Sequence, residues 1–129
     1  MGVIVLFDTD VLIHAQRGSR RAAAAIDAAR DRFVSVQSLM ELLQGARDTQ
    51  ELRTIKRFMN ELSFEVLPLT ENVGHRALVY VEEYGLSSGL RAGDAIVAAT
   101  AVENAVPLVS ANAKHFRSIK ELDLVLFRP

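Results

Sequence analysis

Two carboxylates stand two residues apart where an apolar run stops: "VLFDTDVLIHAQRG" (5–18) carries Asp8, Thr9 and Asp10. Further candidates sit in similarly apolar settings. Glu41 lies within "SLMELLQG", Asp94 opens "DAIVAATA", and Asn112 follows "LVS". Carboxylates at short range repel one another, more strongly in a low-dielectric cleft. Such a cluster persists when a divalent cation neutralises it, and oxygen-only donors select Mg²⁺ or Mn²⁺.

Each residue also has an ordinary reading. Asp10 can cap the helix that begins beside it, and as a neighbour two residues from Asp8 it can share its side. Thr9 then points elsewhere and serves the same turn. Glu41 is an exposed helical acid or a rare polar group on a largely buried helix, where a lone charge is costly. Asp94 is a first-turn acid favoured by the helix dipole. Asn112 is a turn or helix cap, or a neutral oxygen ligand. Ser110, two residues earlier, points to the same side of an extended chain.

The elements that must position them read as alternating strands and helices. "VIVLF" (3–7) is a continuous apolar run rich in β-branched residues, as expected of a strand covered on both faces. Further strands are predicted at 33–36, 64–69, 107–112 and 122–127. Helical patterns lie between them: "VLIHAQRG" stopped by Gly18, "RRAAAAIDAARD" after Ser19, 37–46, 49–62, a helix from Thr70 to Gly85, and 94–105. Residues 86–93, with two glycines, read as a loop. This order predicts an α/β fold: one domain over 1–129, a mostly parallel five-stranded sheet with helices on both faces. In such sheets ligands bind beyond the carboxyl ends of the strands, where strand order reverses. Asp8 ends the first strand, beside that crevice. Ala95, Ala98 and Ala99 give the later helix a small-residue face that brings Asp94 close.

Composition narrows the class. The chain has 129 residues, 50% of them hydrophobic and 24% charged, enough to build a core. Fifteen Lys and Arg against sixteen Asp and Glu give a formal charge of −1, which excludes a uniformly basic nucleic-acid surface but not a local patch. With no cysteine, disulfides, thiolate chemistry and zinc–sulfur sites are excluded. Charges interrupt the N-terminal apolar run and no segment is long enough to span a bilayer, so no membrane association and a cytoplasmic location are expected.

Taken together, "FDTDVLI", "ELLQGA" (41–46), "GDAIVAATA" (93–101) and "LVSANAKHF" (108–116), in this order and at this length, resemble PIN domains, specifically the VapC-type toxins of toxin–antitoxin pairs. The resemblance covers nearly the whole chain. It implies a five-stranded parallel sheet wrapped by helices and Mg²⁺- or Mn²⁺-dependent RNA cleavage. It carries the catalytic, metal-holding roles onto Asp8, Glu41 and Asp94. A fourth acid of the family often falls where this chain has Asn112; the departure removes one negative charge. The same resemblance implies an antitoxin of the VapB kind lying over a groove near the first helices and the 37–62 pair, a homodimer, and a larger assembly of toxin with antitoxin.

RNA approaching an acidic crevice needs basic groups around it. Arg17, Arg20, Arg21, Arg30 and Arg32 outnumber Asp27 and Asp31 over residues 17–32. Arg91 and Lys114 flank the other acids. His14, His75 and His115 stand in no general-base motif and are read as structural or surface residues. Two rival functions remain. A haloacid-dehalogenase-like phosphatase would use Asp8 as nucleophile, although Val11 stands where its motif has glycine. A catalytically weakened PIN-like RNA-binding module would follow if Asn112 had cost the site its metal.

Overall fold

A computed structural model describes residues 3–129. Five parallel strands form one sheet in the order β3-β2-β1-β4-β5. They are β1 (Val3–Phe7), β2 (Ala29–Ser35), β3 (Phe64–Leu67), β4 (Leu108–Ser110) and β5 (Leu124–Leu126). The helices are α1 (Thr9–Gln16), α2 (Arg20–Ala28), α3 (Val36–Gln44), α4 (Thr49–Glu61), α5 (Glu71–Ser88), α6 (Ala92–Glu103) and α7 (Ala113–Phe116). None is long and apolar enough to cross a membrane among the described residues.

The central strand explains the layering. Side chains alternate across a strand, and β1 is buried on both faces. Val5 and Phe7 pack with Val11, Leu12, Ile26 and Leu42 of α1–α3. Leu6 packs with Val73, Ala77, Ala95 and Ala98 of α5 and α6. Leu6 and Phe7 are fully buried, each stabilising the fold by roughly 1.5–3 kcal/mol. The order reverses between β1 and β4, and there the first strand ends in Asp8.

Local physics overrides several sequence expectations. β2 begins at Ala29, not 33: the alanine-rich pattern continues helically on paper, but residues 29–32 join the β1 ladder. Arg32 then donates to the Ile26 carbonyl (2.9 Å) and the Leu62 carbonyl (2.8 Å), tying α2 to the end of α4. α5 does not stop at Gly85. It runs to Ser88 and ends on Gly89, whose φ of +70° is the left-handed conformation that glycine adopts freely. Most of the expected 86–93 loop is therefore helix. α3 is less buried than its composition suggests, with Met40 half exposed and Glu41 exposed.

Candidate functional site

Asp8 occupies the N-cap of α1, the position expected of Asp10. Its Oδ1 accepts from the Thr9 amide at 2.8 Å. Its own amide donates to the Val109 carbonyl at 2.9 Å, so the last ladder bond of β1 fixes the backbone that carries it. The Ser110 hydroxyl donates to Asp8 Oδ2 (2.8 Å), while Ser110 Oγ accepts from the Asn112 amide (3.0 Å). That second bond leaves the hydroxyl proton free to face the carboxylate.

Asp10 has a different task. Because the chain turns helical at Thr9, strand alternation does not carry past Asp8. Asp10 Oδ1 accepts from the Val11 amide (2.7 Å) and Oδ2 from the Ala111 amide (2.9 Å), pinning α1 to the turn after β4. Nor does Thr9 point away from the crevice. Its hydroxyl donates to Glu41 Oε2 (2.8 Å), and Gln37 Nε2 donates to Glu41 Oε1 (2.9 Å).

Asp94 stands in the first turn of α6. Its Oδ2 receives the Arg91 amide (3.3 Å) and lies 2.8 Å from His115 Nδ1. The α6 start meets α3 at Gly93, where an added Cβ would stand 3.1 Å from both Gln37 Nε2 and Glu41 Oε1. The buried alanine face of α6, with Ala95, Ala98 and Ala99 fully buried, permits this approach. Neighbouring residues thus link the three acids: Thr9 beside Asp8 holds Glu41, and Gly93 beside Asp94 touches Glu41.

The electrostatics follow from the placement. Burial pushes the Asp8 carboxyl up to about 7, helped by the charges of Asp10 and Asp94 and opposed by the hydrogen bonds from Ser110 and Thr9. Burial also raises Asp10, against bonds from Ala111, Val11 and Ser110. None of the ion pairs among the described residues involves Asp8, Asp10 or Glu41. The donor set is the all-oxygen type that suits a hard dication. It is not a closed cage, because among the described residues no three acidic or imidazole groups stand in a ready coordinating arrangement.

Asn112 caps α7, its Oδ1 accepting from the His115 amide at 3.3 Å. His115, read as structural or surface from sequence, and Gln37, which sequence reasoning did not single out, both reach acids of the crevice. His75 is exposed beside Glu71, and His14 lies against Phe127. Of the basic residues, Arg17, Arg20, Arg21, Arg91 and Lys114 are exposed, whereas Arg30 pairs with Asp31 and Arg32 is spent on carbonyls. The local patch therefore shrinks to Arg17, Arg20 and Arg21.

Gly93 gives a test of the α3–α6 approach. Its φ is not positive, so alanine is conformationally acceptable and favours helix by up to about 1 kcal/mol. Gly93→Ala should leave the melting temperature unchanged or higher while displacing the Glu41 carboxylate. RNA cleavage, the activity the family resemblance implies, should fall roughly tenfold, the scale of a small misplacement of a reacting group. Full activity in this variant would show that the contact does not matter.

The profile of the PIN domain matches residues 5–122. Ribonuclease VapC10 of Mycobacterium tuberculosis is 35% identical over 123 residues, covering 92% of this chain and 90% of the relative. Among solved structures, a toxin–antitoxin complex from Klebsiella pneumoniae superposes with a TM-score of 0.79 at 28% identity, over 96% of this chain and 98% of that one. VapBC2 from Rickettsia felis, bound to a DNA fragment from its promoter, has a TM-score of 0.79 at 17% identity over 98% and 100%, a likeness of fold alone. A match running from the first strand to the approach of the last, with a relative this similar nearly end to end, leaves one conclusion: the chain belongs to the PIN domain family.

Proposed function

We propose that this protein is the ribonuclease toxin of a toxin–antitoxin pair, hydrolysing RNA phosphodiester bonds with Mg²⁺ or Mn²⁺ held by Asp8, Glu41 and Asp94. The observation that carries the reading is Asp8: a buried acid at the end of the central strand, pushed up to about 7 by burial and by its acidic neighbours. Such a group is held at a cost in charge that a dication relieves. A bound Mg²⁺ or Mn²⁺ supplies Lewis acidity toward the phosphoryl oxygens and makes water a nucleophile near neutral pH. The chain's own residues do the positioning. Ser110 and the Thr9 amide fix the Asp8 carboxylate, Thr9 and Gln37 hold Glu41, and Asp10 locks α1 against the turn after β4. Water oxygen joins phosphorus and the bond to the 3′ oxygen breaks, leaving a 5′-phosphate and a 3′-hydroxyl. Exposed Arg17, Arg20, Arg21, Arg91 and Lys114 bind the phosphates on either side.

The partner is an antitoxin of the VapB kind. Supporting this is a groove of about 460 Å³ between α1, α3 and α4, lined by Ile13, Arg17, Leu42 and Ile55 and reaching Glu41. A segment lying there would arrive at the acids. Two toxin copies pair, and pairs join through their antitoxins. The phosphatase reading loses its footing with the family match; the binding-module reading would require RNA to be bound but left uncut with Mn²⁺.

The deciding experiment is RNA cleavage by the purified protein with Mn²⁺ and with EDTA. Cleavage should require the ion and stop with the chelator. Undiminished cleavage in EDTA would overturn the metal-dependent mechanism.

A further inference from the structure

We propose that His115 is the positioning residue of Asp94, and that Asn112 acts on Asp94 only through His115. This rests on the reading that Asp94 holds a cation.

The backbone of α7 fixes the ring. Phe116 is fully buried and anchors the short helix, and Asn112 Oδ1 caps the His115 amide. His115 Nδ1 then lies 2.8 Å from Asp94 Oδ2 and 2.9 Å from Asn112 Nδ2. Donor accounting decides which contact is a bond. An ionised carboxylate only accepts, and an amide nitrogen only donates. Nδ1 cannot serve both. The bond to the carboxylate is charge-assisted, about twice as strong as a neutral one, so the proton sits on Nδ1 and points at Asp94.

Both hydrogen bonds received by Asp94 among the described residues, from His115 and from the Arg91 amide, fall on Oδ2. Oδ1 is left as the oxygen for the ion. Holding one carboxylate oxygen from behind is how outer groups orient a metal ligand. Asn112, with its carbonyl oxygen committed to the helix cap, sets the ring and is no ligand itself. The missing fourth acid is thereby replaced by a capping amide and an imidazole.

Mn²⁺ affinity, measured by calorimetry without RNA, tests this. His115→Ala should weaken binding about tenfold or more, the usual scale for loss of an orienting group. His115→Asn should restore it to within about threefold, because an asparagine amide nitrogen falls where Nδ1 does; His115→Gln should not. Asn112→Ala combined with His115→Ala should bind no more weakly than His115→Ala alone. Losses that multiply would instead make Asn112 an independent ligand and overturn its assigned role. Asp94→Asn separates the two readings. Loss of Mn²⁺ in Asp94→Asn with wild-type affinity in His115→Ala removes this inference and spares the function. Wild-type affinity in Asp94→Asn removes both. A metal-free readout stands beside these: imidazole ¹⁵N NMR of the neutral ring. It should find the proton of His115 on Nδ1 in the wild type and on Nε2 in Asp94→Ala, where Nδ1 is left to accept from Asn112 Nδ2. A wild-type ring protonated on Nε2 would overturn the proposal whatever the metal data.

Discussion

Asp8→Asn should abolish RNA cleavage and, in the metal-free protein above pH 7, raise the unfolding midpoint. The amide fits the wild-type hydrogen bonds. Its oxygen accepts from the Thr9 amide, and its nitrogen donates to Ser110 Oγ. The Ser110 proton then turns to Asp10 Oδ2, 3.4 Å away. What is lost is the charge. Activity should fall on the order of 10³-fold or more, the scale of removing a catalytic group. The stability change follows from linkage. The folded carboxyl titrates near 7, the unfolded one at 3.8. Between those values the folded state binds more protons, so Asp8 makes the fold lose stability as pH rises from about 4 through about 7. Above that window the ionised, buried carboxylate destabilises by an amount on the order of a few kcal/mol. The substitution removes this penalty, so its gain should be largest at about pH 8 and vanish near pH 4. Denaturant unfolding in EDTA at both pH values measures it. A gain that is equal at the two, or a loss at the higher one, would contradict the assigned burial of charge.

The sheet was legible from sequence because its signal is local. A continuous apolar run at 3–7, rich in β-branched residues, suits a strand covered on both faces, and Val5, Leu6 and Phe7 divide between the two layers accordingly. What misled was also local pattern. The "RRAAAAIDAARD" stretch favours helix throughout, yet its last residues pair with β1, since ladder hydrogen bonds outweigh propensity. Gly85 and Gly89 are equally good helix stops on paper. Only the second takes a positive φ, and the choice depends on where the chain must turn toward α6. The four residues of α7 are too few to have a period at all.

The site divides the same way. Asp8, Glu41 and Asp94 could be picked out as acids in apolar surroundings, whereas the cap of α1, expected of Asp10, falls to Asp8. The contacts among the acids could not be read, because each joins segments far apart in the chain. Thr9 reaches Glu41, Gly93 abuts Gln37 and Glu41, and His115 reaches Asp94. For His115 a faint signal existed. An asparagine three residues before it, at the end of a strand, is a capping pattern that fixes where the imidazole must lie.

Mn²⁺ affinity should climb steeply with pH up to about 7 and then level off. An ion that uses Asp8 must displace its proton, and in the free protein that proton is held to about 7. Below that value each bound ion releases roughly one proton from this group, so affinity should rise roughly tenfold per pH unit. Above it Asp8 is already ionised and the dependence fades. The same linkage reverses the stability trend. The metal-free fold weakens as Asp8 ionises, whereas the loaded fold gains about 2.7 kcal/mol when the ion is at 100 times its dissociation constant. EDTA should therefore lower the melting temperature more at pH 8 than at pH 6, because the ion is then tightly held and the bare carboxylate most costly. In Asp8→Asn this pH-dependent part should disappear. Calorimetry at pH 6 in buffers of different ionisation enthalpy counts the released proton directly. Binding that releases none, with an affinity flat from about pH 5.5 to 7, would mean that the ion does not use Asp8.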